Sequence, residues 1–361
     1  MIGSSYSAMN RSFGVARVSL SHHIGRVNYH RSIGRQEDRS GEVAGGPALI
    51  AFCYGMAMNM FITGATGVLG RTVTRLFVES GHKVRALARN SENESRLRDS
   101  GAVPVRASLS DLPSLLSAVK DCDAILHLAT RIPPSSKAGH RAAWRDNDHI
   151  RTVGTRNLVD AALEAGVPTL LYPGIVLIYP DGGDNWLDAT TPPQPTSILQ
   201  SSLDAEAEVQ RFTKAGNRGI VLRMGSFYGP ASSGTKQMLH IARYGIAMFF
   251  GQARAYQSLI WVDDAALAVV DGLAKAEAGI YDVVDDEPLQ RRELAATLAQ
   301  TVGRRLLLRP PVLLLRLLAG KDAMFLTRSQ RVSNRKFQSA TGWSPMVPSA
   351  RLGFRLLSIP P

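Results

Sequence analysis

Three glycines, Gly64, Gly67 and Gly70, separate a short apolar run, "MFIT" (60–63), from a segment with apolar residues at helical spacing, "VLGRTVTRLFVES" (68–80). That order of strand, glycine turn and helix suits one kind of chemistry. Glycines let the backbone turn tightly and let a pyrophosphate approach the amides at a helix N-terminus, where the helix dipole favours negative charge. A glycine triplet alone is weak, because surface turns use glycine freely; the flanking strand and helix supply the missing context. The next strand, "HKVRALAR" (82–89), ends without the carboxylate that would accept hydrogen bonds from an adenosine ribose: Ala88 stands there and Arg89 follows. Arg89, with Arg71 just after the third glycine, suits a 2′-phosphate and favours NADP over NAD. The alternative is that both arginines are simply solvated.

The elements that would hold this loop alternate down the chain. "VPVRA" reads as strand, "DLPSLLSAV" as helix, "DAILHLAT" as strand, "RTVGTRNLVDAALEAG" as helix and "PTLLYPGIVLIY" as strand and loop. Such alternation predicts an α/β fold with a doubly wound parallel sheet of the Rossmann type. Ligands of these sheets bind beyond the carboxyl ends of the strands, which points Thr130 and Arg131 towards the cofactor. His127 lies within its strand and reads as a core histidine.

Seven pieces in order, "TGATGVLG", "DAILHLAT", "GTRNLVDAALEAGV", "IVLRMGSFYGP", "LIWVDDAALAVVDGL", "GIYDVVDDEPLQRRELAATLA" and "GWSP", span nearly everything from Met58 onward. In these the chain resembles the extended short-chain dehydrogenase/reductase superfamily, of the NAD-dependent epimerase/dehydratase type. The resemblance implies a Rossmann domain over 58–225 and a smaller C-terminal α/β substrate-binding domain over 226–361, with 259–285 returning to the Rossmann core. It implies that Gly64, Thr66, Gly67, Val68, Leu69, Gly70, Arg71, Arg89, Ser108, Leu109, Leu128, Ala129 and Thr130 line the dinucleotide, Ser108 replacing an acidic residue near the adenine. Arg223 and Tyr228 would sit beside the nicotinamide end or the domain junction.

The pattern breaks at its catalytic set. Where the family has a serine or threonine after the fifth strand, "YPGIVLIYP" offers Gly174 and Ile175. The family's Tyr-x-x-x-Lys works because residues i and i+4 share a helix face, so that the lysine lowers the phenol's pKa and the phenol passes a proton while hydride moves. Here those positions are Leu199 and Leu203. No nearby residue replaces them: Ser197 with Gln200 reads as a capping box, Ser201 and Ser202 have no neighbouring base, and Asp204, Glu206 and Glu208 read as a solvated acidic face. Tyr179 and Tyr228 are the surviving phenols and the candidate catalytic residues. Asp263 and Asp264 read as the cap of the helix that follows them, and Trp261 as a packing residue between domains.

These features imply an oxidoreductase or epimerase acting on a carbonyl or alcohol of a small substrate, or else a catalytically degenerate NADP sensor. The chain is 361 residues long with 45% hydrophobic content, enough for a full core. Its two cysteines, Cys53 and Cys122, suggest neither a disulfide framework nor a thiolate metal site. The net charge of +12 is uneven: residues 1–57 contribute +3, residues 58–290 contribute −2 and residues 291–361 contribute +11. A basic C-terminal region favours anionic partners or is merely solvated; no nucleic-acid module accompanies it, and no nucleic-acid partner is expected. "LLLRPPVLLLRLLAG" (306–320) is the most apolar stretch, but arginines and prolines interrupt it, so it predicts a short core-packing amphipathic helix rather than a membrane span. Residues 1–57, serine-bearing and acid-poor, read as a disordered or non-native extension ahead of a start at Met56, Met58 or Met60. An organelle-targeting segment is the alternative to a cytoplasmic location. The resemblance also allows a homodimer.

Overall fold

The computed structural model describes residues 57–133, 140–319 and 321–358; the expectations for the N-terminal extension therefore fall outside the described residues, apart from Ala57. The first half alternates as the sequence predicts: β1 (Asn59–Thr63), α1 (Val68–Glu79), β2 (Lys83–Ala88), α2 (Ser91–Asp99), β3 (Val103–Arg106), α3 (Leu112–Val119) and β4 (Ala124–His127). A long helical run follows. It comprises a 3-10 turn (Arg141–Trp144), α4 (Arg145–His149), a π turn (Ile150–Gly154) and α5 (Thr155–Glu164). Then come β5 (Thr169–Ile175), β6 (Trp186–Leu187), α6 (Gln200–Lys214), β7 (Arg218–Met224), β8 (Ser226–Tyr228) and α7 (Ser233–Arg243). The chain finishes with β9 (Tyr256–Gln257), β10 (Leu259–Trp261), α8 (Val262–Lys275), β11 (Gly279–Val283), β12 (Leu289–Gln290), α9 (Arg291–Thr301), α10 (Val312–Ala319), β13 (Arg331–Val332), α11 (Arg335–Thr341) and α12 (Ala350–Leu357).

Seven strands form one parallel sheet in the order β11-β7-β5-β4-β1-β2-β3. Strands covered on both faces can carry apolar residues in succession, as the centre of β1 does: Met60 and Ile62 join one core cluster, Phe61 the other. The first cluster packs α1 and α8 on the sheet through Leu69, Val73, Phe77, Ala265 and Val269. The second packs α3, α5 and α6 through Leu115, Leu158 and Phe212. A third cluster gathers C-terminal elements around Trp261, which meets Tyr228 edge-on with ring centroids 5.3 Å apart. Among the described residues no helix is long and apolar enough to cross a membrane.

Three local expectations are corrected. The N-cap of α6 is Leu199, with no side-chain capping bond, not Ser197; the chain enters through a tight turn in which the Leu199 amide donates to the Thr196 carbonyl. Burying Ile198 and Leu199 sets that register. Asp264 does not cap α8 but is buried and accepts the Met346 and Val347 amides, both at 2.9 Å, tethering the C-terminal segment. The "LLLRPPVLLLRLLAG" stretch does form a helix after its prolines, but most of its described leucines face solvent instead of the core.

His127 is a core residue, as expected. Its Nδ1 lies 2.7 Å from Thr63 Oγ1 and its Nε2 lies 3.1 Å from Thr155 Oγ1. Burial, with a smaller push from Arg151, lowers its pKa to about 4. A depressed folded-state pKa means that stability present above the unfolded value is lost as pH falls through that value towards 4. Between pH 7 and pH 5 this group should cost on the order of 2 kcal/mol of stability. Urea unfolding at both pH values should show that pH dependence reduced by about the same amount in His127→Gln; an equal dependence in the variant would exclude His127 as its source.

Candidate functional site

The residues expected to line a dinucleotide gather at one edge of the sheet. Gly64 follows β1, Arg89 follows β2, Ser108 lies just beyond β3 and Leu128 follows β4, and these four strands are neighbours in the sheet. Two of the glycines are required for steric reasons. Gly64 has φ +73°, and a Cβ there would fall 2.6 Å from the Ala129 backbone. At Gly70 a Cβ would overlap the Gly64 carbonyl oxygen and stand 2.8 Å from Ala65 Cα, so the helix packs directly on the loop. Gly67 differs: it is the exposed N-cap of α1, with no side-chain capping bond and no acidic residue in the first turn. The amides it leads into are free to meet an anion.

Thr66 and Val68 are part-exposed beside Gly67, whereas Leu69 points into the core. Thr130 is exposed and Ala129 half-buried at the end of β4. Ser108 is exposed, and its Oγ accepts the Ser110 amide at 3.2 Å. Leu109 is half-buried, and its carbonyl accepts from Asn157 Nδ2 at 2.9 Å. Arg71 and Arg89 are both exposed and form no ion pair among the described residues. Arg131 instead pairs with Asp146 at 3.1 Å.

Beyond the carboxyl ends of β5 and β7 the sequence reading missed a buried charge network. Glu206 is fully buried in α6, not solvated, and its carboxylate grips Arg223 of β7: Nη2 to Oε2 is 2.7 Å and Nε to Oε1 is 3.1 Å. Arg223 Nη1 donates to Tyr179 Oη at 2.8 Å, and that hydroxyl donates to Asp282 Oδ1 of β11 at 2.8 Å. Burial works against the Arg223 charge, but the contacts from Glu206 prevail and hold its pKa above the ordinary value. Burial raises Asp282 to about 7. A second buried cation, Arg151 on the π turn, donates to Ser202 Oγ at 2.5 Å. The signal for Glu206 was the spacing of Ser202, Ala205, Glu206, Val209 and Phe212, which traces one buried helix stripe.

The two candidate phenols belong to the interior. Tyr179 is 0% and Tyr228 2% exposed, and Tyr228 Oη donates to Asp285 Oδ2 at 3.2 Å. Burial, reinforced by those carboxylates, raises both phenol pKa values. Each is therefore a hydrogen-bonded packing group rather than a phenol presented to a ligand.

The positions that the resemblance assigns to the catalytic set converge. Ile175, Leu199 and Leu203 all belong to one apolar cluster with Trp144, Leu177, Ile178, Ile198, Phe325 and Leu326. Gly174 is tied to the network instead, since a Cβ there would fall 2.7 Å from Glu206 Oε1. The Glu206 carboxylate occupies the room that a side chain at 174 would use. Gly174→Ser should therefore destabilise the fold by about 1–3 kcal/mol through overpacking. Glu206→Gln should cost about 3–5 kcal/mol by stranding the Arg223 charge. Urea midpoints within error of the parent for both would refute this account of the network.

Comparison with known proteins matches this geometry. Residues 60–283 fit the NAD dependent epimerase/dehydratase family. A 3-diazoavenalumate denitrifying reductase from a Streptomyces species is 30% identical over 82% of this chain and 99% of its own length. The 2-alkyl-3-oxoalkanoate reductase of Stenotrophomonas maltophilia is 27% identical over 68% of this chain and 76% of its own length. Among solved structures, a human epimerase family protein with NADPH shares the fold at TM-score 0.70 and 20% identity, covering 83% of this chain and 99% of that one. UDP-glucose 4-epimerase from Thermotoga maritima does so at TM-score 0.67 and 18% identity, covering 83% and 97%. The family binds NAD(P), and the solved structures that share this fold include both NADPH and NAD complexes. With the glycine loop, the seven-stranded sheet and the matched span in agreement, the chain belongs to the NAD-dependent epimerase/dehydratase family of the extended short-chain dehydrogenase/reductase superfamily.

Proposed function

We propose that the protein is an NADP(H)-dependent oxidoreductase that moves hydride to or from a carbonyl or alcohol carbon of a small, partly apolar substrate, without a tyrosine–lysine proton donor. The observation that carries this reading is the convergence of Ile175, Leu199 and Leu203 on one apolar cluster where the resemblance puts serine, tyrosine and lysine. When bound, the cofactor would supply the hydride as NADPH or accept it as NADP+. The amides following Gly67 would cradle its pyrophosphate, and Arg71 and Arg89 would hold its 2′-phosphate.

Ile175, Leu177, Leu203 and Leu326, each only partly buried, give the site an apolar wall that favours an apolar substrate. Holding donor and acceptor carbons about 3–3.5 Å apart supplies much of the barrier reduction by itself. A missing general acid forgoes a factor of roughly 10²–10⁴, so the proton on the substrate oxygen comes from solvent or from the substrate itself. Two relatives support the choice of substrate class by name, the 2-alkyl-3-oxoalkanoate reductase and a sterol-4-alpha-carboxylate 3-dehydrogenase from Dictyostelium discoideum.

The same convergence favours a second reading, an NADP-occupancy sensor that does not turn over. Titration with NADPH and NADH followed by a carbonyl panel separates the two. NADPH is expected to bind more tightly, and Arg89→Ala to weaken NADPH by about tenfold or more while leaving NADH unchanged, since a charge-assisted phosphate contact is worth about 1.5–3 kcal/mol. Turnover on any substrate selects the enzyme; tight NADPH binding with none selects the sensor; failure to bind either nucleotide defeats both.

A further inference from the structure

We propose that the leucine- and arginine-rich C-terminal face docks the protein on an anionic lipid bilayer. Two short segments, 246–249 and 306–308, run side by side here, joined by the Ile246–Leu308 bridge. Their side chains alternate in the way of strands, with Ala247, Phe249 and Leu307 pointing into the third core cluster. On a solvated surface the opposite face would be polar. Here it carries Ile246, Met248, Leu306 and Leu308, the last two 73% and 70% exposed.

Helix α10 extends the same feature. Leu315 is buried, while Leu313, Leu314 and Leu317 are exposed, Leu313 and Leu317 at 65% and 73%. Eight of the large exposed hydrophobics of the described residues, Tyr244 included, thus fall within or beside these short stretches of chain. Scattered exposed apolar residues need no explanation, but a concentration of this size marks an interaction surface.

Charge selects the partner. Residues 233–254 and 294–320 contain no aspartate or glutamate, and they carry Lys236, Arg243, Arg254, Arg304, Arg305, Arg309 and Arg316. Leucines interspersed with arginines match the two layers of a bilayer surface, acyl boundary and anionic headgroup. A nucleic acid would match the arginines and leave the leucines without a partner. A two-fold contact with a second copy would set each arginine group against itself.

The face also connects to the proposed site. The turn after α10, Lys321–Thr327, contributes Phe325 and Leu326 to the apolar cluster that holds Ile175, Leu199 and Leu203. Docking through α10 would therefore bring that cluster close to a reservoir of apolar substrate, a consequence that rests on the function proposed above, whereas docking itself does not.

Flotation of the full chain with vesicles tests the inference. Binding is expected to vesicles of equal parts phosphatidylcholine and phosphatidylglycerol, to weaken as salt rises, and to be small on phosphatidylcholine alone. Leu313→Glu with Leu317→Glu should abolish it. Arg305→Ser with Arg316→Ser should lower the partition coefficient about 25-fold, each cation near the surface being worth about fivefold. All four side chains are exposed, and an unchanged thermal midpoint confirms that each variant folds. Equal binding to both vesicle types, no binding to either, or wild-type binding by the leucine variant would overturn the proposal. So would a concentration-dependent dimer or DNA binding that the leucine variant loses while lipid binding persists.

Discussion

The bidentate pair between Glu206 and Arg223 is the constraint around which the carboxyl end of this sheet is arranged. It locks α6 to β7, and through Tyr179 and Asp282 it reaches the turn after β5 and the edge strand β11. The Tyr179 carbonyl then accepts from Arg328 and Gln330, at 2.9 and 2.7 Å, so the segment leading to β13 rests on the same residue. Charges removed from water are tolerated only when paired and hydrogen-bonded, which makes this network a single unit. Glycine at 174 follows from it, because the carboxylate fills the space above that backbone.

Next to this polar unit the apolar cluster around Leu199 has the opposite character. Ile175, at the end of β5, meets Leu199 and Leu203, at the start of α6, together with Trp144 and Phe325. A single charged or phenolic side chain placed among them would lack partners. This end of the sheet thus presents apolar surface beside the buried ion pair, while the glycine loop keeps its steric requirements at Gly64 and Gly70. The same preference recurs outside, where strand-like alternation at 306–308 turns leucines both inward and outward.

Periodicity and turn chemistry made the parallel sheet, the glycine loop and the core position of His127 legible, because each depends on residues close in sequence. Glu206 was not legible, because on α6 it is flanked by Asp204, which is exposed, and Glu208, which pairs with Arg156 and Arg211 near the surface. Only its register on the buried stripe distinguished it. Asp264 was misread for a related reason: it lies where a cap belongs, but its acceptors serve amides 82 and 83 residues away.

The sequence by itself determined the fold class and the cofactor loop, since a strand, three glycines and an amphipathic helix satisfy their own steric and hydrogen-bonding demands locally. The resemblance added the expectation that Leu199 and Leu203 stand at the family's tyrosine and lysine positions. Only the tertiary structure decided where these residues and their neighbours lie. Long-range packing put Ile175 against Leu203, buried Glu206 against Arg223, hid the two remaining phenols and left the leucines of α10 in solvent. Those outcomes depend on which buried groups find partners on neighbouring elements, and no local pattern specifies those partners.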